Sequence, residues 1–280
     1  MNMRKKSPSA DKQESWIASI RQFVVLIVIV VAVRSLWVEP FNIPSASMVP
    51  TLQIGDFVVV SKSSYGYSRY SFPFSPNFFS GRIWGSLPHR GDVAVFRFTQ
   101  DTSIDYIKRI VGLPGDHIRM VHGELFVNGQ KVPRQSLGHY AVDDEFGNPL
   151  EGERYREMLP RENGQGTAAH DILKMRDTDD ANNTSDYVVP QGCLFAMGDD
   201  RDDSADSRFQ GGRDTGQCAA PPGNDFLKAS DRDLGFVPVE NLVGHATYVL
   251  FSIDLLRHPA WQFWYWPTEI RWNRILRGID

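Results

Sequence analysis

The 280-residue sequence has room for one large domain or two small ones, with 41% hydrophobic residues, 23% charged residues and a formal net charge of −4. This charge leaves no basic excess to neutralise phosphates, which argues against a nucleic-acid partner. The two cysteines, Cys193 and Cys218, are too few for a disulfide scaffold or a four-ligand zinc site, so the sequence predicts neither a metal nor another cofactor.

The amino terminus combines a basic segment with an apolar one. The apolar run Phe23–Val33 extends to about twenty residues over 16–36 if Arg21 and Arg34 reach toward the two interfaces, and about twenty residues span a bilayer. Lys and Arg are absent between residues 35 and 61 but frequent before residue 22, which places the amino terminus in the cytoplasm. We therefore predict a cytoplasmic tail (1–15), a transmembrane helix (16–36) and an extracytoplasmic domain (37–280).

A cleaved secretory signal would show the same basic and apolar segments. The candidate chemistry described below begins at Ser45, so cleavage near that point would remove or truncate it. The pattern therefore favours an uncleaved anchor.

Beyond the apolar segment the sequence predicts mainly β-structure, without a βαβ rhythm or a fixed repeat. Apolar, β-branched runs predict strands at Asp56–Ser61, Asp92–Phe98, Asp116–Val121, Leu125–Val127 before the Asn128-Gly129 turn, Tyr187–Val189, Leu194–Met197 and Leu242–Ile253. The polar stretch 133–186 predicts loops and short strands, which could form a small second β-subdomain. The Gly- and Pro-rich stretch 209–234 predicts a long surface loop.

Two aromatic clusters interrupt this pattern: Phe72–Phe79 with Ile83 and Trp84, and Trp261–Trp266. Aromatic side chains at such density usually pack in a core. Beside a membrane anchor, however, Trp and Tyr also favour the lipid headgroup layer. Core packing and membrane contact both stay open for each cluster.

Three segments carry candidate chemistry. Pro44-Ser-Ala-Ser-Met-Val-Pro-Thr-Leu52 places serines between prolines, where a serine usually serves as a turn residue. Asp105-Tyr-Ile-Lys-Arg-Ile-Val-Gly-Leu-Pro-Gly-Asp116 places Lys108 among apolar neighbours, where burial would make it a base; a surface pair with Asp105 is the alternative. The acidic turn, Gly198-Asp-Asp-Arg-Asp-Asp-Ser-Ala-Asp-Ser-Arg208, lacks the glycine and glutamate of a calcium-binding EF-hand and instead indicates ion pairs.

In this order, and together with Gly55-Asp-Phe-Val-Val-Val60, these segments resemble the successive sequence boxes of the bacterial type I signal peptidase (leader peptidase) family. The resemblance covers residues 39–208 and resumes at Gly235–Pro238. It implies a membrane-bound serine endopeptidase with a Ser–Lys dyad. It also implies a mainly β, signal-peptidase/LexA-like catalytic domain with a smaller β-subdomain, preceded by one amino-terminal transmembrane helix.

The resemblance implies roles for individual residues. Ser47 is similar to the family's nucleophile, and Lys108 to the general base that takes the Ser47 proton and returns it to the leaving amine. The Ser45 hydroxyl and the Ser47 backbone N–H are similar to the oxyanion hole. Ser204 resembles a serine that hydrogen-bonds to the lysine ammonium and orients it.

Supporting and specificity residues also follow from the resemblance. Asp206 and Arg208, with Arg109, are expected to hold the acidic turn against the site. Shallow pockets that admit only small side chains at −1 and −3 of the substrate are expected at Ile43, Val95 and Ile107. The expected partners are preprotein signal peptides, the lipid bilayer and a nearby secretion translocon, and the expected location is the bacterial inner membrane.

Two features depart from the family pattern. Residues 209–234 form an insertion between boxes that usually follow each other closely, and one membrane span is visible where some relatives have two. The insertion contains Cys218, which could form a disulfide with Cys193 because the predicted topology places both in an oxidising compartment. The alternative is a buried, unpaired Cys193 and a free loop thiol at Cys218.

Two rival functions share part of this pattern. A LexA-like self-cleaving repressor has the same Ser–Lys chemistry, but it would need a DNA-binding helix-turn-helix where the apolar segment stands. A membrane-tethered domain that only binds exported chains would need neither a nucleophile nor a base, so the presence of both Ser47 and Lys108 argues against it.

Overall fold

The computed structural model describes residues 8–77, 79–162, 164, 166–176, 180–209, 218, 234–254, 256 and 261–279. It begins with helix α1, Pro8–Leu36, whose apolar stretch Trp16–Leu36 has a mean hydropathy of 2.4 over 21 residues. The most apolar window of this stretch is not buried against the rest of the protein. The helix is therefore long and apolar enough to cross a bilayer.

The remainder of the described chain is mainly β, which confirms the predicted fold class. A short helix, α2, follows at Trp266–Glu269. The strands are β1 (Val38–Asn42), β2 (Asp56–Ser61), β3 (Val93–Arg97), β4 (Asp105–Gly112), β5 (His117–Val121), β6 (Glu124–Val127), β7 (Gln130–Lys131), β8 (Arg134–Asp143), β9 (Pro149–Pro160), β10 (Thr167–Lys174), β11 (Tyr187–Val188), β12 (Cys193–Met197), β13 (Val237–Pro238), β14 (Leu242–Ser252) and β15 (Arg277–Gly278).

The largest sheet contains β4, which carries Lys108, and β1 and β2, which flank the Ser47 segment. Its strands follow the order β1-β2-β14-β3-β4-β12-β13, with β15 beside β14, and the described pairings are antiparallel. The apolar runs predicted as strands supply β2, β3, β12 and β14. Their side chains, among them Val58, Val60, Val95 and Val249, fill a buried core, because β-branched residues pack well on a pleated surface.

A second sheet, β11-β5-β6-β7, contains the predicted hairpin. Its two-residue turn is Asn128-Gly129, with φ values of 52° and 75°. A tight hairpin turn needs this left-handed backbone, which glycine adopts without strain and asparagine tolerates better than most residues.

The stretch 133–186, predicted as loops and short strands or a small β-subdomain, has strands longer than expected. It forms a three-stranded sheet, β10-β9-β8, with strands of 8, 12 and 10 residues. Most of β8 and β9 is exposed or half-buried, so neither strand contains the apolar run that predicts one. Leu173 of this sheet packs against Ala46 and Val49, so the sheet supports the segment that carries Ser47.

The predicted insertion lies largely outside the described residues, which include only Phe209, Cys218 and Leu234 from it. Its two ends meet, because the Gly235 N–H donates to the Phe209 carbonyl at 2.9 Å. Cys218 is buried and is joined to Cys193 by a disulfide. The insertion therefore leaves and re-enters the fold at one place and is linked there to β12.

The described parts of both aromatic clusters are largely exposed, so core packing does not explain them. Trp84 is 84% exposed and Trp261 is 68% exposed, while Phe78 lies outside the described residues. The Trp84 ring contacts that of Tyr67, whose hydroxyl donates to the Leu36 carbonyl at 2.6 Å. Trp84 therefore lies close to the end of α1.

Candidate active site

The segment that carries Ser47 follows β1 and is fixed by backbone hydrogen bonds. The Ile43 N–H donates to the Asp56 carbonyl, and the Gly55 N–H donates to the Ile43 carbonyl, both at 2.9 Å. The Ser47 carbonyl accepts a hydrogen bond of 3.2 Å from the Asp200 N–H of the acidic turn. Ser47 is therefore held between the start of β2 and that turn.

Lys108 projects from β4 into the same place. It is 4% exposed, and its Nζ donates to Ser47 Oγ at 2.5 Å. The alternative surface pair is not formed, because Asp105 pairs with Arg97 at 3.1 Å. Burial lowers the pKa of Lys108 to about 8, although nearby aspartates of the acidic turn oppose this decrease. An amine with this pKa is partly neutral near pH 7 and can accept the Ser47 proton.

Two hydrogen-bond donors lie beside the Ser47 hydroxyl. Ser45 Oγ is 3.4 Å from Ser47 Oγ, and the Ser47 N–H donates to no group among the described residues. Both donors are therefore available to the oxygen of a carbonyl group placed over Ser47. Such donors stabilise the negative charge of a tetrahedral intermediate.

Arg109, the neighbour of Lys108, is fully buried and links β4 to the acidic turn. Its Nε and Nη2 donate to the Asp199 carboxylate at 2.8 and 2.7 Å, and its Nη1 donates to the Gly91 carbonyl at 2.7 Å. Burial raises the pKa of Asp199, but the charge and hydrogen bonds of Arg109, together with smaller contributions from His170 and Thr51, lower it below its usual value, so this carboxylate stays ionised. Through these contacts Arg109 joins β4 both to the acidic turn and to the Gly91 backbone.

Asp206 and Arg208 form a second buried ion pair within the acidic turn. Arg208 Nε and Nη2 donate to the Asp206 carboxylate at 2.9 and 2.8 Å, and the Gly198 N–H donates to the same carboxylate at 3.0 Å. Gly198 leaves no room for a side chain, since a Cβ there would lie 2.1 Å from Ser204 Oγ and 2.5 Å from the Ser47 carbonyl oxygen. The turn therefore packs directly against the segment that carries Ser47.

The expected hydrogen bond between Ser204 and Lys108 is not formed. Ser204 Oγ is buried but has no hydrogen-bond partner among the described residues. It lies against Gly198, and Lys108 Nζ donates to Ser47 instead. In this structure the contact with Ser47, and not a contact with Ser204, orients the lysine.

The three predicted pocket residues belong to one apolar cluster. Val95 of β3 lies opposite Ile107 of β4. Ile43 and Val95 are 2% and 1% exposed, whereas Ile107 is only partly buried. Of the three, Ile107 therefore offers the most surface to a substrate, and the other two contribute to the core behind it.

The acidic turn is a set of ion pairs, as its sequence indicates. Three of its five aspartates face a buried cation: Asp199 with Arg109, Asp202 with Lys174 and Asp206 with Arg208. In the described part of the chain, no group of three or more His, Cys, Asp and Glu side chains is placed to hold a metal ion.

Sequence reasoning missed the charged partners that the three-stranded sheet supplies. Arg201 of the acidic turn pairs with Glu157 of β9, which also lies 3.3 Å from His170 Nε2. Lys174 at the end of β10 lies 2.7 Å from Asp202. These partners are 44 and 28 residues apart in the sequence, so no local pattern joins them. The signal in the sequence that could have indicated these partners was the charge-rich composition of 133–186.

Asp200 is a further missed residue, and it is buried beside the dyad. Its Oδ1 accepts hydrogen bonds from the Asp202 and Asp203 N–H groups at 3.1 and 3.0 Å, whereas its Oδ2 has no partner among the described residues. Burial raises the pKa of Asp200 to about 7. When it is ionised, its charge raises the pKa of Lys108.

Comparisons with known proteins identify the family of this chain. A family model described as signal peptidase, peptidase S26, matches residues 16–251. Signal peptidase I of Rickettsia akari (strain Hartford) is 32% identical over 99% of this chain and 97% of its own length, and that of Rickettsia typhi (strain Wilmington) is 36% identical over 92% and 91%. A crystal structure of a signal peptidase I from Enterococcus faecalis V583 matches 58% of this chain and 98% of its own, at 18% identity and a TM-score of 0.30. On the family model and the sequence relatives, this chain belongs to the signal peptidase I family.

Proposed function

We propose that this chain cleaves signal peptides from exported preproteins with Ser47 as the nucleophile and Lys108 as the general base. One observation carries the proposal: the Nζ of a buried lysine lies 2.5 Å from Ser47 Oγ. A buried amine that faces a hydroxyl group, with no direct carboxylate partner, costs stability. Membership of the signal peptidase I family explains why such a costly arrangement is retained, whereas a binding domain would gain nothing from it.

In the proposed reaction, Ser47 Oγ attacks the scissile carbonyl carbon while its proton moves to Lys108 Nζ. The Ser45 hydroxyl and the Ser47 N–H donate to the resulting oxyanion. Lys108 then gives the proton to the leaving amine, the C–N bond breaks, and the signal peptide stays bound to Ser47 as an ester. A water molecule, deprotonated by Lys108, attacks this ester, the bond between the carbonyl carbon and Ser47 Oγ breaks, and Lys108 returns the proton to Ser47 Oγ as the signal peptide leaves as a carboxylate.

We propose cleavage after small residues at −3 and −1 of the substrate. The cluster of Ile43, Val95 and Ile107 supports this specificity, because two of its members are almost completely buried and leave little depth for a larger side chain. Preproteins that carry Leu in place of Ala at −1 should then be cleaved slowly, and equal cleavage of both would contradict the assignment.

We also propose a single-pass arrangement in the bacterial inner membrane, with residues 1–15 in the cytoplasm, 16–36 in the bilayer and 37–280 outside, near the secretion translocon. The exposed apolar helix and the basic residues before it support this topology. Trp84 supports it as well, because an exposed tryptophan close to the end of α1 suits the headgroup layer.

Protease added to intact spheroplasts should digest the large domain and spare only the amino-terminal tail. A mature protein that begins after Val33 would indicate a cleaved signal instead.

The decisive experiment uses the full chain in detergent with a purified preprotein. We expect a single new amino terminus after a small residue, identified by sequencing the product. Ser47→Ala should bind the preprotein without cleaving it. Unchanged cleavage by Ser47→Ala would refute the nucleophile, and preprotein binding without cleavage by the unmodified chain would favour the binding-domain alternative.

A further inference from the structure

A small cavity is lined by four arginines and no carboxylate. Its volume is about 220 Å³, and its lining does not include the Ser–Lys dyad. It lies where β8 and β9 meet the carboxyl-terminal segment and the loop that follows Ser47. The cationic and amide side chains in its wall are Arg154, Arg271, Arg274, Arg277, Gln53 and Asn273.

Carboxylates compensate only part of this positive charge. The ion pairs of the four arginines and of their neighbour Arg156 involve three aspartates: Asp56 pairs with Arg274, Asp171 is shared by Arg154 and Arg156, and Asp254 lies 3.9 Å from Arg271. Among the residues that the structure describes, five arginines against three aspartates leave two positive charges in excess. An adjoining cavity on the Arg271 side is lined by the acidic residues Asp143, Glu151 and Asp254, so the excess lies toward Arg277.

Arg277 has the most freedom to bind a ligand. It is exposed on β15, whose backbone pairs with β14, and its side chain makes no hydrogen bond or ion pair with any residue that the structure describes. Arg274 and Arg271 are fixed instead: Arg274 Nη2 donates to the Thr51 carbonyl at 2.9 Å, and Arg271 Nη2 donates to the Ile54 carbonyl at 2.8 Å. The cavity therefore combines guanidinium groups that are already fixed by hydrogen bonds with one free guanidinium at its rim. Because most of these side chains are already ordered, an anion that binds here costs little side-chain conformational entropy.

We propose that this cavity binds the phosphate group of an anionic phospholipid. Several guanidinium groups around a small space suit a phosphate, which accepts two parallel hydrogen bonds from each planar guanidinium. The same carboxyl-terminal segment exposes Trp266, Trp272 and Leu276 beside the cavity residues. Arginine next to exposed tryptophan is the combination found at the headgroup layer of a bilayer, which favours a lipid over a soluble phosphate.

The test measures lipid binding to the full chain in detergent by native mass spectrometry. The probes are phosphatidylglycerol, diacylglycerol with the same acyl chains but no phosphate, and inorganic phosphate as a competitor. Arg277→Gln removes the free guanidinium without breaking any described contact. Arg119→Gln is the matched control, because Arg119 is likewise exposed and without a described ion pair, on β5, outside this cavity.

We expect one tightly bound phosphatidylglycerol, little bound diacylglycerol, and displacement of the lipid by inorganic phosphate. Arg277→Gln should weaken phosphatidylglycerol binding about tenfold, the loss expected for one charge-assisted hydrogen-bonding group, whereas Arg119→Gln should not. Equal losses in both variants, or diacylglycerol binding as tight as that of phosphatidylglycerol, would overturn the proposal. Saturable phosphate binding that depends on Arg277, without retention of phosphatidylglycerol, would assign the cavity to a soluble anion and overturn the lipid assignment.

Discussion

The nucleophile side of the site and the acidic turn behind it both bury positive charge, but they do so in opposite ways. On the nucleophile side, Lys108 Nζ has a hydroxyl partner, Ser47. In the acidic turn, Arg208 forms two hydrogen bonds to the Asp206 carboxylate, and Arg109 on β4 forms two to Asp199. Lys108 and Arg109 are adjacent residues, so the contrast depends on which face of β4 each side chain occupies.

This contrast separates the charges that stabilise the structure from the one that can change during a reaction. A buried guanidinium with a bidentate carboxylate keeps its charge, because both groups lose their only good partner if either is neutralised. A buried amine beside a hydroxyl loses hydration without gaining an ion pair, so its pKa falls into the range where it can exchange protons. The acidic turn thus provides a fixed support for a titratable lysine.

The largest effect should come from removing either member of the dyad. Ser47→Ala and Lys108→Ala should each lower kcat by more than about 10³-fold, because nucleophile and base act as one unit. The double variant should lose little more than either single variant. Single-turnover cleavage of a preprotein measures these rates, and far-ultraviolet circular dichroism checks that each variant is folded. Strictly multiplicative losses would contradict the dyad.

Breaking an ion pair in the support should instead reduce stability. Arg109→Met leaves the Asp199 carboxylate buried without its partner, which should lower the free energy of unfolding by about 4 kcal/mol in urea denaturation. The matched control is Arg97→Met, which removes a more exposed ion pair, between Arg97 of β3 and Asp105 of β4, and should cost less than about 1 kcal/mol.

The double variant Arg109→Met/Asp199→Leu sharpens this test. Removing both charges should recover much of the lost stability, since no buried charge is then left unpaired. If Arg97→Met lowers the free energy of unfolding as much as Arg109→Met does, burial does not explain the contribution of the Arg109–Asp199 pair to stability.

The disulfide should contribute somewhat less than the buried ion pair. It closes a separation of 25 residues, so Cys193→Ala/Cys218→Ala should lower the free energy of unfolding by about 3 kcal/mol through the gain in unfolded-chain entropy. Mass analysis of protein isolated without reductant should find no alkylatable thiol. Two alkylated cysteines in that sample would show that the bond does not form.

Removing one oxyanion donor should have a smaller effect than removing the dyad. Ser45→Ala should lower kcat about 10²-fold with little change in KM, because its hydroxyl is expected to bind the oxygen only after it becomes charged. Ser45→Thr keeps the hydroxyl and should retain much more activity. A rise in KM at unchanged kcat would mean that Ser45 binds the substrate in its ground state.

Asp200 should produce the smallest effect, a shift in pH dependence. An ionised Asp200 raises the pKa of Lys108, so Asp200→Asn should lower that pKa and move the rise of kcat/KM to lower pH, by less than about one unit. A shift to higher pH would mean that the Asp200 charge does not act on Lys108. The control is Asp101→Asn, which removes a carboxylate from an exposed loop. Ser207→Ala is unsuitable as a control, because the Ser207 hydroxyl holds the turn to Gly235.

The sequence predicts one part of this molecule much better than the other. The strands β2 and β12 have continuous apolar runs because both of their faces are largely buried, and their positions agree closely with the prediction. The strands β8 and β9 were missed because exposed and half-buried residues occur along their whole length. Hydrophobic periodicity reveals a strand when one of its faces is buried, and β8 and β9 bury little of either face.

The site shows the same limit at the level of single residues. Family motifs indicated Ser47 and Lys108, and the apolar neighbours of Lys108 indicated its burial. They could not indicate that Glu157 of β9 would pair with Arg201, because that contact exists only after the three-stranded sheet folds onto the acidic turn. Nor could they show that Ser204 Oγ would lie against Gly198 without bonding to Lys108.

The pH dependence of kcat/KM tests the central claim most directly. Lys108 acts as a base only when it is neutral, and burial places its pKa at about 8. Cleavage of a preprotein by the full chain in detergent should therefore rise through an apparent pKa near 8 and level off well below the value of about 10.4 for a solvated lysine. A rate that still climbs above about pH 10 would show that Lys108 is solvated in the working enzyme. It would contradict the assignment of Lys108 as a buried general base.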